Sequence, residues 1–288
     1  MAMVNLATAY RPYTDEIFTT ESKKSLITNN DFNWDGAHTV KVYSVTTARM
    51  NNYDRQGTSG EISRYGPIQG LDATTQEFTL RNDRSFTFAV DTLDMDETNA
   101  QLEGASALAR QIREVVVPEI DTYTLGIMCR GAGTKPDPVA LTKTNIYTEI
   151  IKANNELDNA QVPGMLRSLI VTPDVYLLMK QCKDIVMETD IGNDMRQQGV
   201  IGNLDGLNIV KVPKIWLPED FGFMIVHPCA CVAPTKLKEY FMHHNPPFIN
   251  GTLVEGRFVY DAFVLENKAK AIYYQAQPAK TTPTDPTE

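Results

Sequence analysis

The sequence predicts an α+β fold organised around one long helix, and three observations carry that prediction. Apolar residues recur at steps of three and four through the stretch from Asp94 to about Cys129. β-branched, strand-like runs flank that stretch, and beyond residue 142 helices and strands alternate. Asp94 suits the helix N-cap, with Glu97 in the capping-box place and Asp96 adding first-turn charge. The predicted buried face is Leu102, Leu108, Ile112, Val116, Ile120 and Tyr123, with Ala105, Ala109 and Ile127 on the same stripe. Pro118 has no N–H for the carbonyl of Glu114, so a kink or restart is expected there. At 1.5 Å per residue the rod would reach roughly 50 Å, which suggests an elongated, plate-like molecule.

The flanks are read in order. Residues 1–38 are polar and turn-rich with scattered aromatics, an arm expected to dock on something other than itself. Thr39 to Thr47 is a strand. Arg49 to Thr75 is polar and punctuated by Gly57, Gly60, Gly66, Pro67 and Gly70, a long loop expected to find its partners on another molecule. Gln76–Leu80 and Ser85–Val90 are expected to pair across a tight turn at Arg81–Arg84. After the helix, Gly131–Leu141 suits a domain junction.

Asn145 to Asn159 then reads as a helix with Ile146, Ile150, Ala153 and Leu157 on one face. Leu166–Thr172 is a buried strand, and Thr172-Pro173 starts a helix running to about Cys182. Gly199–Pro213 reads as a hairpin turning at Asp205-Gly206. Phe221–Val226 and Ala230–Ala233 are core strands, and Arg257–Leu265 and Ala269–Tyr274 are expected to form a last hairpin. The Pro/Thr-rich tail from 276 to 288 is expected to be disordered.

Composition narrows the function. The chain has 288 residues, a formal net charge of −9 and a pI near 5.0, with no basic stripe interleaved with aromatics. That argues against tight DNA reading but suits a wall that encloses DNA without sticking to it. No apolar run reaches membrane-span length, and Met1–Tyr10 has no signal-peptide pattern. Cys129, Cys182, Cys229 and Cys231 are too scattered for a disulfide framework, so reduced thiols and a cytosolic assembly setting are expected. Neither G-x-G-x-x-G nor a P-loop occurs.

In this order the parts resemble the major capsid proteins of tailed bacteriophages, with their Hong Kong-97-type shell fold. The run Val117–Tyr123 (VPEIDTY) is similar to the spine-helix segment of that family. Leu169–Tyr176 (LIVTPDVY), followed by Gly199–Val210, resembles its A-domain strand, helix and hairpin. The resemblance implies an N-terminal arm at 1–38, strands and an extended loop (E-loop) at 39–93, and a spine helix with its junction at 94–141. An A-domain at 142–225 and P-domain return strands at 226–275 would follow. It implies a subunit that builds pentamers and hexamers of an icosahedral head around double-stranded DNA. Assembly in the host bacterial cytoplasm would use a separate scaffolding protein and a portal, with a decoration protein possible. Arg49, Tyr53, Arg55, Ile62, Arg64, Tyr65 and Ile68 would make the E-loop contacts between subunits.

Some shells of this fold weld themselves through an E-loop lysine. This sequence has no lysine between Lys41 and Lys135, and a guanidinium cannot serve as that amine nucleophile, so no self-cross-linking is expected. An encapsulin-like compartment shell is the neighbouring alternative. An alternative of another class is a metal-dependent enzyme on His227, Cys229 and Cys231, which a single strand would bring to one face. Burial of the cysteines as small hydrophobes explains them better, and neither cofactor nor metal is expected. His243-His244, ahead of Asn245-Pro246-Pro247, is expected as a surface pair in a loop.

Overall fold

The computed structural model describes residues 22–29, 39–45, 47–57, 63–67, 70, 73–93, 104–182 and 200–278. It divides into two compact units, Trp34–Leu80 and the remainder.

In the smaller unit β1 (Thr39–Val45) pairs antiparallel with β2 (Ala73–Thr79), in register from Thr39↔Thr79 to Val45↔Ala73. The pair Gln76–Leu80 with Ser85–Val90, expected as a hairpin, does not form. β3 (Asn82–Asp91) pairs instead with β10 (Gly251–Tyr260), which also pairs with β9 (Thr235–His244). The reason is local. Arg81–Arg84 has no residue with positive φ to close a tight turn, and the Arg81 N–H donates to Asp261 Oδ2 at 3.0 Å.

The larger unit is built on a mixed five-stranded sheet in the order β12–β7–β4–β6–β5. Its strands are β4 (Ser168–Val171), β5 (Val200–Leu204), β6 (Leu207–Lys211), β7 (Phe221–Val226) and β12 (Ile272–Ala276). Both faces are covered at β4 and β7, whose residues are buried throughout. Alternate residues still divide between two cores. Leu169, Val171, Ile209, Phe223 and Ile225 pack with Ile146, Ile150, Ala153 and Leu157 of the helix Ile146–Asn159 and with the helix Pro173–Gln181. Ile170, Val210, Met224, Val226 and Ile272 pack with Leu125, Met128 and Cys129 of the spine.

The local signals in this region act as the sequence suggests. Thr172 Oγ1 accepts the Val175 N–H at 3.3 Å, and Asp205 (φ 48) and Gly206 (φ 77) form the left-handed hairpin turn. The second expected hairpin does not form. β11 (Phe263–Val264) pairs with β8 (Cys231–Val232), Glu266–Ala271 is a 3₁₀ turn, and β12 pairs with β7. Residues 133–139, expected as a junction, run beside β12, with Thr134 N–H donating to Ile272 O and Val139 N–H to Ala276 O. A Cβ at Gly133 would lie 2.5 Å from the Ala269 backbone, so only glycine permits that approach.

The spine is continuous from Gly104 to Gly131, in three pieces: α1 (Gly104–Gln111), a π turn (Ile112–Val116) and α2 (Val117–Gly131). The Val117 N–H bonds to Ile112 O, five residues back, and Pro118, which has no N–H to give, follows directly on this widened turn. The expected restart at the proline therefore takes the form of an inserted residue.

Residues 22–29 correct the reading of the arm as unable to bury itself. Lys23, Ile27 and Thr28 are buried on this chain's own core, and Asn29 N–H donates to Cys231 O at 2.8 Å. The clasp is Asp121 on α2. Its Oδ1 accepts from Ser22 Oγ at 2.9 Å and its Oδ2 from the Lys23 N–H at 3.0 Å. Burial pushes this carboxyl above its ordinary range, against those two bonds and the nearby Lys24 and Lys23 charges. Asp121→Ala is expected to cost about 1–3 kcal/mol by leaving the Lys23 N–H buried and unpaired. Urea unfolding checks this, and an unchanged midpoint would refute the clasp.

Candidate functional site

Two surfaces collect the residues that the sequence singles out, a loop expected to contact other subunits and the expected buried face of the spine. The first is the loop between β1 and β2. Arg49, Arg55 and Arg64 are exposed there, with Tyr53 53% and Tyr65 77% exposed; Ile62 and Ile68 lie outside the described residues. The loop is pinned from within. Asp54 N–H donates to Arg64 O at 2.9 Å, and Asp54 Oδ1 accepts from the N–H groups of Gln56 and Gly57. The Tyr53 and Tyr65 rings meet edge to face with centroids 5.0 Å apart. A short ribbon with exposed aromatics and unpaired cations gains little from its own packing, because two strands alone are marginal in water. Among the described residues, none of the three arginines forms an ion pair.

The second surface is the face of the spine toward the sheet β3–β10–β9. Val116 is buried with Phe258 and Tyr260, and Ile112, Ile120 and Tyr123 pack half-buried against them. Leu108 is buried, whereas Leu102 and the capping residues Asp94–Glu97 lie outside the described residues. This expected stripe is thus only one of two. Past the π turn the more deeply buried positions are Asp121, Thr124, Leu125, Met128 and Cys129, because there the helix lies on the five-stranded sheet.

Polar links fix the first contact. Tyr123 Oη donates to Asp261 Oδ1 at 2.8 Å, Tyr260 Oη donates to Glu119 Oε1 at 2.9 Å, and Arg84 Nε pairs with the same oxygen at 2.9 Å. Burial and the Glu119 carboxylate hold the Tyr260 hydroxyl well above its ordinary range. The adjoining strand β9 exposes Tyr240, Phe241 and Met242. His243 and His244 belong to this strand rather than to a loop. His244 Nδ1 lies 3.3 Å from Thr252 Oγ1 and His243 Nε2 lies 3.6 Å from Glu255 Oε2, both across to β10.

The metal alternative loses its geometry. His227, Cys229 and Cys231 do not share a strand, because Pro228–Ala230 is a 3₁₀ turn in which His227 Nδ1 accepts the Cys229 N–H at 3.2 Å. Cys231 is fully buried, and burial pushes its thiol up to about 12. Among the described residues no three His, Cys, Asp or Glu side chains gather as a metal site, the four cysteines are free, and no helix is long and apolar enough to cross a membrane.

A mixed sheet with its helices, a broken spine and a separate two-stranded ribbon define an α+β architecture. The same architecture occurs in solved phage structures along nearly the whole chain. Mycobacterium phage Che8 matches at 17% identity and a TM-score of 0.70, over 94% of this chain and 96% of that one. The capsid structure of cyanophage P-SCSP1u matches at 12% identity and a TM-score of 0.70, over 94% and 92%. The asymmetric unit of the bacteriophage PhiM1 mature capsid matches at 11% identity and a TM-score of 0.69, over 96% and 93%. No protein-family model and no curated protein matches the sequence. The fold is therefore that of phage capsid subunits, in keeping with the Hong Kong-97-type resemblance, at identities that carry the architecture alone.

Proposed function

We propose that this chain is the major capsid subunit of a tailed phage, a structural protein that assembles with copies of itself into the icosahedral head enclosing double-stranded DNA. The observation that carries the reading is the end-to-end likeness to capsid structures, with little of either chain left over for another task. The acidic balance supports an inner wall that does not hold the packaged DNA tightly. Scaffolding and portal proteins are the partners this reading calls for, with a decoration protein as a further candidate, and the virion is where the chain would reside. Negative-stain microscopy of the protein expressed with its neighbouring head genes tests it. Closed shells tens of nanometres across are expected, and a small monodisperse oligomer would overturn the reading.

The loop arginines are read as pairing with acidic groups of a neighbouring subunit, since a guanidinium offers a planar fork to a carboxylate. Each exposed pair contributes only about 0–1 kcal/mol, so repetition and the apolar contacts of Tyr53 and Tyr65 must supply the rest. Denaturing electrophoresis of mature particles is expected to release one band near 32.2 kDa. A ladder of covalent oligomers would refute a shell held without cross-links.

A further inference from the structure

We propose that the loop Gln161–Leu166 is a rigid apolar contact point that seats on a second copy of this chain. Met165 and Leu166 are neighbours in sequence, and they are 80% and 63% exposed. Exposure alone means little, but this loop is held in place at a cost. Leu166 and Gln161 both adopt left-handed backbone, at φ 63 and 59, although Gly164 stands two residues before Leu166. A γ-branched apolar side chain in that conformation, with most of its surface in solvent, gains little within its own subunit.

Beneath the loop lies Arg167, 2% exposed. Its Nε donates to Pro163 O at 2.9 Å and its Nη2 to Val162 O at 2.6 Å. Nη1 donates to the Asn154 side chain, and Nη2 pairs with Asp158 Oδ1 at 2.7 Å. Strain retained because its surroundings over-determine it points toward function.

The choice of a second copy rests on the shell reading above, and on charge. Copies of a chain with net charge −9 repel one another, so contacts between them favour uncharged surface. Gln161–Leu166 has no ionisable side chain. A preformed knob also loses little conformational freedom on docking.

The test uses the full chain expressed as for particle assembly. In the double variant Met165→Ser/Leu166→Gly the subunit is expected to melt no lower than the wild type, since glycine relieves the left-handed strain. Particle yield is expected to fall roughly tenfold or more at equal concentration. A photo-activatable benzophenone side chain at position 165 is expected to give adducts at multiples of this chain's mass. Undiminished assembly of the double variant overturns the proposal, as do a lowered subunit melting temperature or adducts to a different protein. Wild-type chain that forms no particles, yet gives self-adducts, overturns the shell reading and leaves the contact standing; absence of both overturns both.

Discussion

Replacing Arg167 by methionine is expected to lower the free energy of unfolding by about 3–5 kcal/mol, a loss on the scale of leaving several part-buried acceptors without a donor at about 1–3 kcal/mol each. The side chain volume is nearly kept, so the loss is not one of packing. It comes from the acceptors left behind, the carbonyls of Val162 and Pro163 and the Asn154 amide oxygen, each of which accepts from the guanidinium. Asp158 contributes little, because its side chain is 62% exposed and water replaces the lost partner. Asp158→Asn is therefore expected to cost only about 0–1 kcal/mol. Urea denaturation of the two variants separates the cases, and equal midpoints would mean that the ion pair, not the carbonyl network, is what matters.

The second large effect is alkaline. Cys129 and Cys231 are each pushed up to about 12, chiefly by burial, with the Asp220 charge adding to the effect on Cys129. Tyr123, Tyr260, Tyr273 and Tyr274 are raised as well, burial again coming first. All of these groups hold their protons in the folded chain at a pH where the unfolded chain has released them. The unfolded state thus binds fewer protons above about pH 9, and stability present below that pH is lost as pH rises toward 12. Each thiol withdraws about 1.4 kcal/mol per pH unit across that window. Cys129→Ala is expected to flatten the slope of stability against pH between 9 and 12 while lowering stability at pH 7. A slope equal to that of the wild type would show that Cys129 ionises as freely when folded as when unfolded.

What the sequence made legible was what neighbouring residues decide. Ile146, Ile150, Ala153 and Leu157 lie within one helix, Thr172-Pro173 is a cap and first turn, and Asp205-Gly206 supplies its own left-handed backbone. The errors came where pairing spans the chain. β3 finds β10, with Asn82 opposite Tyr260, and no local pattern announces a partner that far away. The strand Thr235–His244 is hidden in the sequence because its charged and histidine residues blur the alternation, and because Asn245-Pro246-Pro247 draws the ending toward a loop. In the sequence Asp121 is no more than part of the spine segment, since its role depends on Ser22 and Lys23, nearly a hundred residues earlier. Leu166 is the expected start of a buried strand; the burial begins one residue later, at Arg167.

The π turn bears on how this chain can change in length. A helix is a dial as well as a rod, and each residue added or removed turns everything beyond it by about 100°. The spine must show one bearing to Phe258 and Tyr260 and another to Ile170, Met224 and Ile272. The residue inserted at Ile112–Val116 is the offset between those two bearings. Removing one residue there would take out the π turn and leave every downstream side chain chemically intact. It would also swing Asp121 away from Ser22 and Lys23 and carry Leu125 and Met128 off the sheet. A perfect helix is thus the wrong part for this position, and the irregularity sets the angular timing of the spine.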